Sequence, residues 1–176
     1  TWSEIEIDPQ LNELEVDPDD WSYPWHVIKH EDYFENTAAG EPITEEDTAH
    51  LIRNSSCYLF FDPDTSESSE RLPFAWDRWS NDTLSLTISK HDASGVVNLK
   101  LTVLEGRFIP HFKIFYFFDP EEQSLEYLEQ SLSLQKLPKK GQPIKGEVDI
   151  LMKEWVKWTD REFERLLRVK GTFVIE

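Results

Sequence analysis

The stretches TLSLTIS (83–89) and VNLKLTV (97–103) carry the clearest structural signal in the chain. Apolar and polar residues alternate strictly in both, which places the apolar ones on one face of a β-strand. The segment FIPHFKIFYFF (108–118) continues as a third strand, and its end is apolar on both faces, as in a strand that is covered on both sides. Turn sequences at 91–95 and 105–106 join the three strands. The centre of the chain therefore predicts an antiparallel meander, and Pro110 predicts that the third strand begins at an edge or a bulge.

Two helices are predicted after the meander. Asp119-Pro120 followed by two glutamates is typical of a helix start. From about residue 147 to 169, residues that can share one helical face recur in steps of three and four. They are Val148, Leu151, Met152, Trp155, Thr159, Phe163 and Leu166, with Gly171 as the stop. The predicted class is α+β: an antiparallel β-meander packed against two C-terminal helices, with an acidic N-terminal arm or hairpin.

The front of the chain predicts a different kind of structure. Residues 1–25 alternate apolar and acidic positions between turn sequences, which favours two short strands or an extended arm. A short helix is predicted over 45–53 and an apolar strand over Cys57 to Phe61. We expect a single domain, 1–176, made of an acidic subregion, 1–43, and an α+β core, 44–176.

The charge is large and unevenly distributed. The 176 residues have a formal net charge of -17, and residues 1–50 hold 15 acidic side chains against the single base Lys29. Residues 136–176 hold ten bases against seven acids. Such a surface repels phosphate, so we expect neither direct binding to nucleic acid nor binding to an anionic membrane. It favours a basic protein partner.

The first functional hypothesis is a non-enzymatic acidic binding protein that occludes a basic macromolecular partner. Inhibitors, immunity proteins and DNA mimics act in this way. The predicted contact residues are a group of carboxylates with tryptophan anchors, since buried indoles often dominate binding energy. They are Glu13, Glu15, Asp17, Asp19, Asp20, Trp21, Trp25, Trp79 and Trp158. Trp79 is expected to face outward if Trp76 is buried.

The alternative is a small metal-dependent enzyme. Nitrogen and sulfur ligands for zinc are available in His26, His30, His50 and Cys57. His26 and His30 would share one face of a helix, but the H-E-x-x-H order of a zinc protease is absent because Val27 follows His26. Cys57 lies in an apolar strand, where a thiol more often serves packing. The hypothesis of an acidic binding protein requires no cofactor, and the alternative of a metal-dependent enzyme requires zinc.

Two further possibilities follow from the aromatic and basic residues. Tryptophans in pairs are compatible with an aromatic carbohydrate-binding module. Self-association is also possible, with the basic tail on the acidic arm of its own chain or of a neighbour. The first residues lack the basic and apolar regions expected of a signal peptide, no apolar run is long enough to span a membrane, and one cysteine excludes an internal disulfide. A cytoplasmic location is the resulting expectation.

Overall fold

The structure is a computed structural model. It describes residues 1–13, 26–28, 48–50, 55–62, 68–92, 95–115 and 120–175. The chain divides into two compact units, one formed by residues 17–53 and the other by residues 1–16 and 54–176. The division into an arm and a core at residue 43 stays a prediction.

The regular structure of the described residues is almost entirely β, apart from a 3-10 helix over Pro9–Glu13. In chain order, the strands are β1 (Ser3–Glu4), β2 (Glu6–Ile7), β3 (His26–Ile28), β4 (Thr48–His50), β5 (Cys57–Phe61), β6 (Ser68–Leu72), β7 (Phe74–Ser80), β8 (Thr83–Asp92), β9 (Gly95–Leu104), β10 (Arg107–Phe115), β11 (Glu122–Leu134), β12 (Ile144–Trp158) and β13 (Arg161–Ile175). Within the described residues, no helix is long and apolar enough to cross a membrane.

The larger unit contains two sheets. In the meander sheet the strand order is β1-β10-β9-β8-β7, and in the long-strand sheet it is β2-β11-β12-β13-β5-β6. The chain passes from one sheet to the other between β1 and β2, between β6 and β7, and between β10 and β11. Inward-facing side chains of both sheets form one hydrophobic core cluster, because each sheet has an apolar face to bury. In the smaller unit, β3 pairs with β4.

The predicted meander is confirmed. Leu86, Ile88, Leu99 and Leu101 are fully buried, and the residues between them face outward. The turns at 81–82 and 105–106 each have two residues, and Asn81, Glu105 and Gly106 take the positive φ values that tight hairpins require. The apolar strand predicted over Cys57 to Phe61 is also confirmed, as β5.

The two C-terminal helices are wrong, and the fold is therefore not α+β. Residues 122–134, 144–158 and 161–175 form the long strands β11, β12 and β13. In β12 the even-numbered residues from Ile144 to Val156 are all buried, which is the period of a strand. Leu151 and Trp155 lie on the opposite face, and counting them with Val148 and Met152 imitates a helical stripe.

The helix predicted after Pro120 is wrong for a related reason. The pairing of β11 with β12 shifts register between Tyr127 and Glu129, which is the mark of a β-bulge. The extra residue, Leu128, is 45% exposed. Because the bulge changes the phase of the alternation, Leu125 and Leu132 lie on the same face although they are seven residues apart. The short helix predicted over 45–53 is also wrong at residues 48–50, which form β4.

The edge of β10 that faces away from β9 is closed to further pairing at two positions. The N–H of Phe112 donates to the Tyr127 hydroxyl at 2.8 Å. Pro110, two residues earlier and so facing the same side, has no N–H. Pro110 lies beyond the two residues that pair with β1, which agrees with the edge position predicted for it. Burial raises the pKa of Tyr127 above its usual value, and the bond from Phe112 offsets only part of that rise.

Replacing Tyr127 by Phe is expected to lower the free energy of unfolding by roughly 1–2 kcal/mol, because the part-buried Phe112 N–H loses its acceptor. Urea unfolding measures the change. The control is Tyr58→Phe, since among the described residues no hydrogen-bond partner of the Tyr58 hydroxyl is found. Equal losses in the two variants would contradict a role for the Tyr127 hydroxyl.

Gly171 is not a helix stop but an interior residue of β13 where another segment passes close by. Its φ is +148°, which L side chains rarely adopt. A Cβ there would overlap the carbonyl oxygen of Ser56 and lie 2.5 Å from the Cα of Cys57. Both contacts are backbone atoms, so neither can move aside without displacing the start of β5.

Gly171→Ala is therefore expected to cost about 3 kcal/mol or more of unfolding free energy. Gly141→Ala is the control: its φ is also positive, at +76°, but no atom lies within 4 Å of the added Cβ. The control isolates backbone strain, for which we expect about 1 kcal/mol. If thermal unfolding shows the same loss for both variants, the close approach at Gly171 is unimportant.

Candidate functional site

The histidines predicted as metal ligands are partly brought together. His26 and His50 are register partners in the β3–β4 pair of the smaller unit. His30 lies outside the described residues, and Cys57 belongs to the larger unit. No group of three or more histidine, cysteine or acidic residues suited to a metal ion is found among the residues that the structure describes. The zinc site stays a prediction.

Cys57 has the environment of a core residue. Its side chain is fully buried in the core cluster, and its thiol donates to the carbonyl oxygen of Thr172 at 3.5 Å. Burial raises the pKa of Cys57 to about 12; nearby Glu147 adds to the rise and Ser55 partly opposes it. A metal ligand or nucleophile needs the thiolate, which this environment disfavours.

Cys57 in the folded protein is expected to resist an excess of 5,5′-dithiobis(2-nitrobenzoate) at pH 8 and to react fully after unfolding in guanidinium. A thiol with a pKa of about 12 is almost entirely protonated at that pH and is shielded as well. Absorbance at 412 nm follows the reaction. Rapid, complete labelling of the native protein would contradict the burial of this side chain.

Of the seven contact residues predicted in the N-terminal third, the structure describes one. Glu13 ends the 3-10 helix Pro9–Glu13. The others lie outside the described residues: Glu15, Asp17, Asp19, Asp20, Trp21 and Trp25. Their role in partner binding stays a prediction.

Trp158 is half-buried at the end of β12. Its ring centroid lies 5.5 Å from that of Phe163, and the guanidinium of Arg161 lies 4.7 Å from the ring centre. One face of this indole is therefore already covered by a cation of the same chain. That contact makes Trp158 a poorer anchor for a basic partner than an indole without such a neighbour.

Trp79 and Trp76 face the opposite ways to those expected. Trp79 lies on the inner side of β7 with Ala75 and packs against the core, while Trp76 is 42% exposed on the outer side. The indole Nε1–H of Trp79 donates to Asp77 at 3.0 Å, which fixes the orientation of the ring. Trp79 is thus a side chain of fixed orientation at the edge of the core.

Beside Trp79, the structure forms a shallow depression of about 190 Å³ that we call the Trp79 depression. Leu104, Leu137 and Pro138 are among its apolar lining residues. Its charged lining side chains within the described residues are Asp82 and Glu105, which come from the two tight turns of the meander. The site combines an indole and an apolar wall with two carboxylates.

Sequence analysis missed the partners of Trp79 in this site. Glu105 was recognised only as part of a turn, and Asp82 follows Asn81 in the other turn. The link to Leu137 depends on the loop between β11 and β12, which reaches this place through long-range packing. Among these partners, only Glu105 lies in a turn that the sequence predicts.

A second depression, of about 240 Å³, lies around Trp155 on the outer face of the long-strand sheet. Two of its charged lining side chains, Lys153 and Glu164, pair with each other at 2.8 Å. This pairing leaves less charge for a ligand than the Trp79 depression does. Carbohydrate binding by exposed aromatic residues stays a prediction.

Glu154 is the one charged side chain that is fully buried among the described residues. Gln123 donates to one of its carboxylate oxygens at 2.9 Å, and the Nε of Arg165 donates to the other at 2.8 Å. The Arg165 guanidinium lies 4.8 Å from the ring centre of Phe61. Because both carboxylate oxygens are engaged by neighbouring strands, the group joins β11, β12 and β13 instead of offering a catalytic acid.

Comparison with known proteins adds no identification: no family model, curated protein or solved structure matches the chain. The narrower expectations of an inhibitor, an immunity protein or a DNA mimic gain no support from these comparisons. They stay predictions.

Proposed function

We propose that this chain is a non-enzymatic binding protein that receives a cationic side chain of a basic protein partner in the Trp79 depression. The observation that carries the proposal is the composition of this site. An oriented indole and an apolar wall stand beside Asp82 and Glu105, the charged side chains found in its described lining.

The chemistry of the depression suits lysine or arginine. The long aliphatic part of such a side chain packs on Leu137 and Pro138. Its charged end interacts with the carboxylates and with the face of the indole, for which cation–π energies run from about 0.5 to 2 kcal/mol. A volume of about 190 Å³ fits a single inserted side chain.

Charge contributes differently from the indole. The side chain of Glu105 is 76% exposed, and its pair with Arg107 spans 3.8 Å, so salt screens it readily. The net charge of -17 raises the rate of encounter with a cationic surface, and contact with Trp79 slows dissociation. Lys136, Lys139 and Lys140 lie in the loop that supplies Leu137, so the partner approaches from the side of the turns.

A fluorescein-labelled octalysine peptide is a direct probe of this site. We expect saturable binding by fluorescence anisotropy, with an affinity that falls steeply between about 20 and 300 mM salt. The double variant Asp82→Asn/Glu105→Gln is expected to weaken binding about tenfold, and Trp79→Phe to weaken it less. The cytoplasmic location of the protein stays a prediction.

The matched control is Glu126→Gln/Glu129→Gln, which removes two exposed carboxylates from β11 outside the depression. If the control weakens binding as much as Asp82→Asn/Glu105→Gln, the peptide follows net charge and the proposed site is wrong. Circular dichroism of each variant shows whether it is folded.

A further inference from the structure

The outer face of the meander sheet has a character opposite to that of the chain as a whole. Cross-strand pairing aligns Trp76, Thr87, Lys100 and His111 in one row. In the neighbouring outward row on one side, the residue from β10 is Lys113. In the neighbouring outward row on the other side, the residue from β7 is Arg78. In the described residues from Phe74 to Phe115, the outward positions of β7 to β10 hold no aspartate or glutamate.

The bases of this face are exposed. Arg78, Lys100 and Lys113 are exposed, and none of them forms an ion pair with another part of the described chain. Lys113 lies 4.1 Å from the ring centre of Phe115, which is itself 43% exposed. We call the exposed set Trp76, Arg78, Lys100, His111, Lys113 and Phe115 the basic face.

The outer face of the long-strand sheet shows the usual treatment of such bases. Arg168 binds Asp149 through two bonds of 2.7 Å, and Lys170 lies 3.4 Å from the same carboxylate. Lys157 pairs with Glu122 at 3.0 Å. Within the described residues, the long-strand sheet thus pairs outward bases with carboxylates, whereas the meander sheet pairs none of Arg78, Lys100 and Lys113.

We infer that the basic face binds the acidic N-terminal third of a second copy of this chain. Residues 1–50 hold 15 acids and one base, so a second copy supplies the missing counter-charge. The same third contains Trp21, Tyr23 and Trp25, which can contact the exposed rings of the basic face.

Symmetry favours a second copy over other polyanions. In a symmetric dimer each copy provides one acidic third and one basic face, so the same contact forms twice. A nucleic-acid strand has no basic face of its own to offer and so gains no such second contact. This surface is separate from the Trp79 depression and does not depend on the function proposed for it.

Sedimentation velocity at low salt tests the inference. We expect the wild-type chain at about 100 µM and about 20 mM salt to sediment as a dimer and to dissociate at about 500 mM salt. Lys100→Glu/Lys113→Glu is expected to be monomeric in both conditions. Lys139→Glu/Lys140→Glu, with the same charge change in the loop between β11 and β12, is expected to remain dimeric.

A charge exchange identifies the two contacting surfaces. Asp17→Lys/Asp19→Lys/Asp20→Lys is expected to be monomeric alone, and mixing it with Lys100→Glu/Lys113→Glu is expected to restore a dimer. A monomeric wild type at low salt would overturn the inference, as would equal disruption by the loop variant. Retention of the wild type on immobilised poly(U), lost in Lys100→Glu/Lys113→Glu without any dimer, would assign the face to nucleic acid instead.

Discussion

The alternation of side chains along β12 is the constraint on which the larger unit depends. This strand pairs with β11 on one side and with β13 on the other, so its backbone groups are engaged almost throughout. Its buried row from Ile144 to Val156 packs into the core shared with the meander sheet. The position of that core determines where its edge lies, and the Trp79 depression is at that edge. It also decides which side chains of β7 to β10 are left facing water.

The meander could be predicted from sequence because each of its strands keeps one period and ends in a recognisable turn. The C-terminal strands could not, because β12 carries Leu151 and Trp155 on its outer face as well as an apolar inner row. The bulge after Tyr127 hides the period of β11 in the same way. Both ambiguities are resolved by pairing between strands that are distant in the sequence. A short stretch of sequence does not contain this information.

The candidate site shows the same division between local and long-range information. Trp79 could be named as an anchor, but its orientation depends on which face of β7 meets the core, and it proved opposite to the one expected. Asp82, Glu105 and Leu137 meet only when the turns and the loop close around Trp79. The net charge is likewise a sum over surfaces of opposite sign. It predicts an acidic surface that binds a basic partner, and it contains no sign of the basic face.

The closed edge of β10 has a consequence for synthesis on the ribosome. β10 leaves the exit tunnel before β11, so for a short time the hydroxyl of Tyr127 is not yet available to Phe112. During that interval Pro110 is the permanent interruption beyond the β1 pairing, and it does not need any later segment to act. A proline at a strand edge makes that edge a poorer template for the edge-to-edge pairing that leads to fibrils.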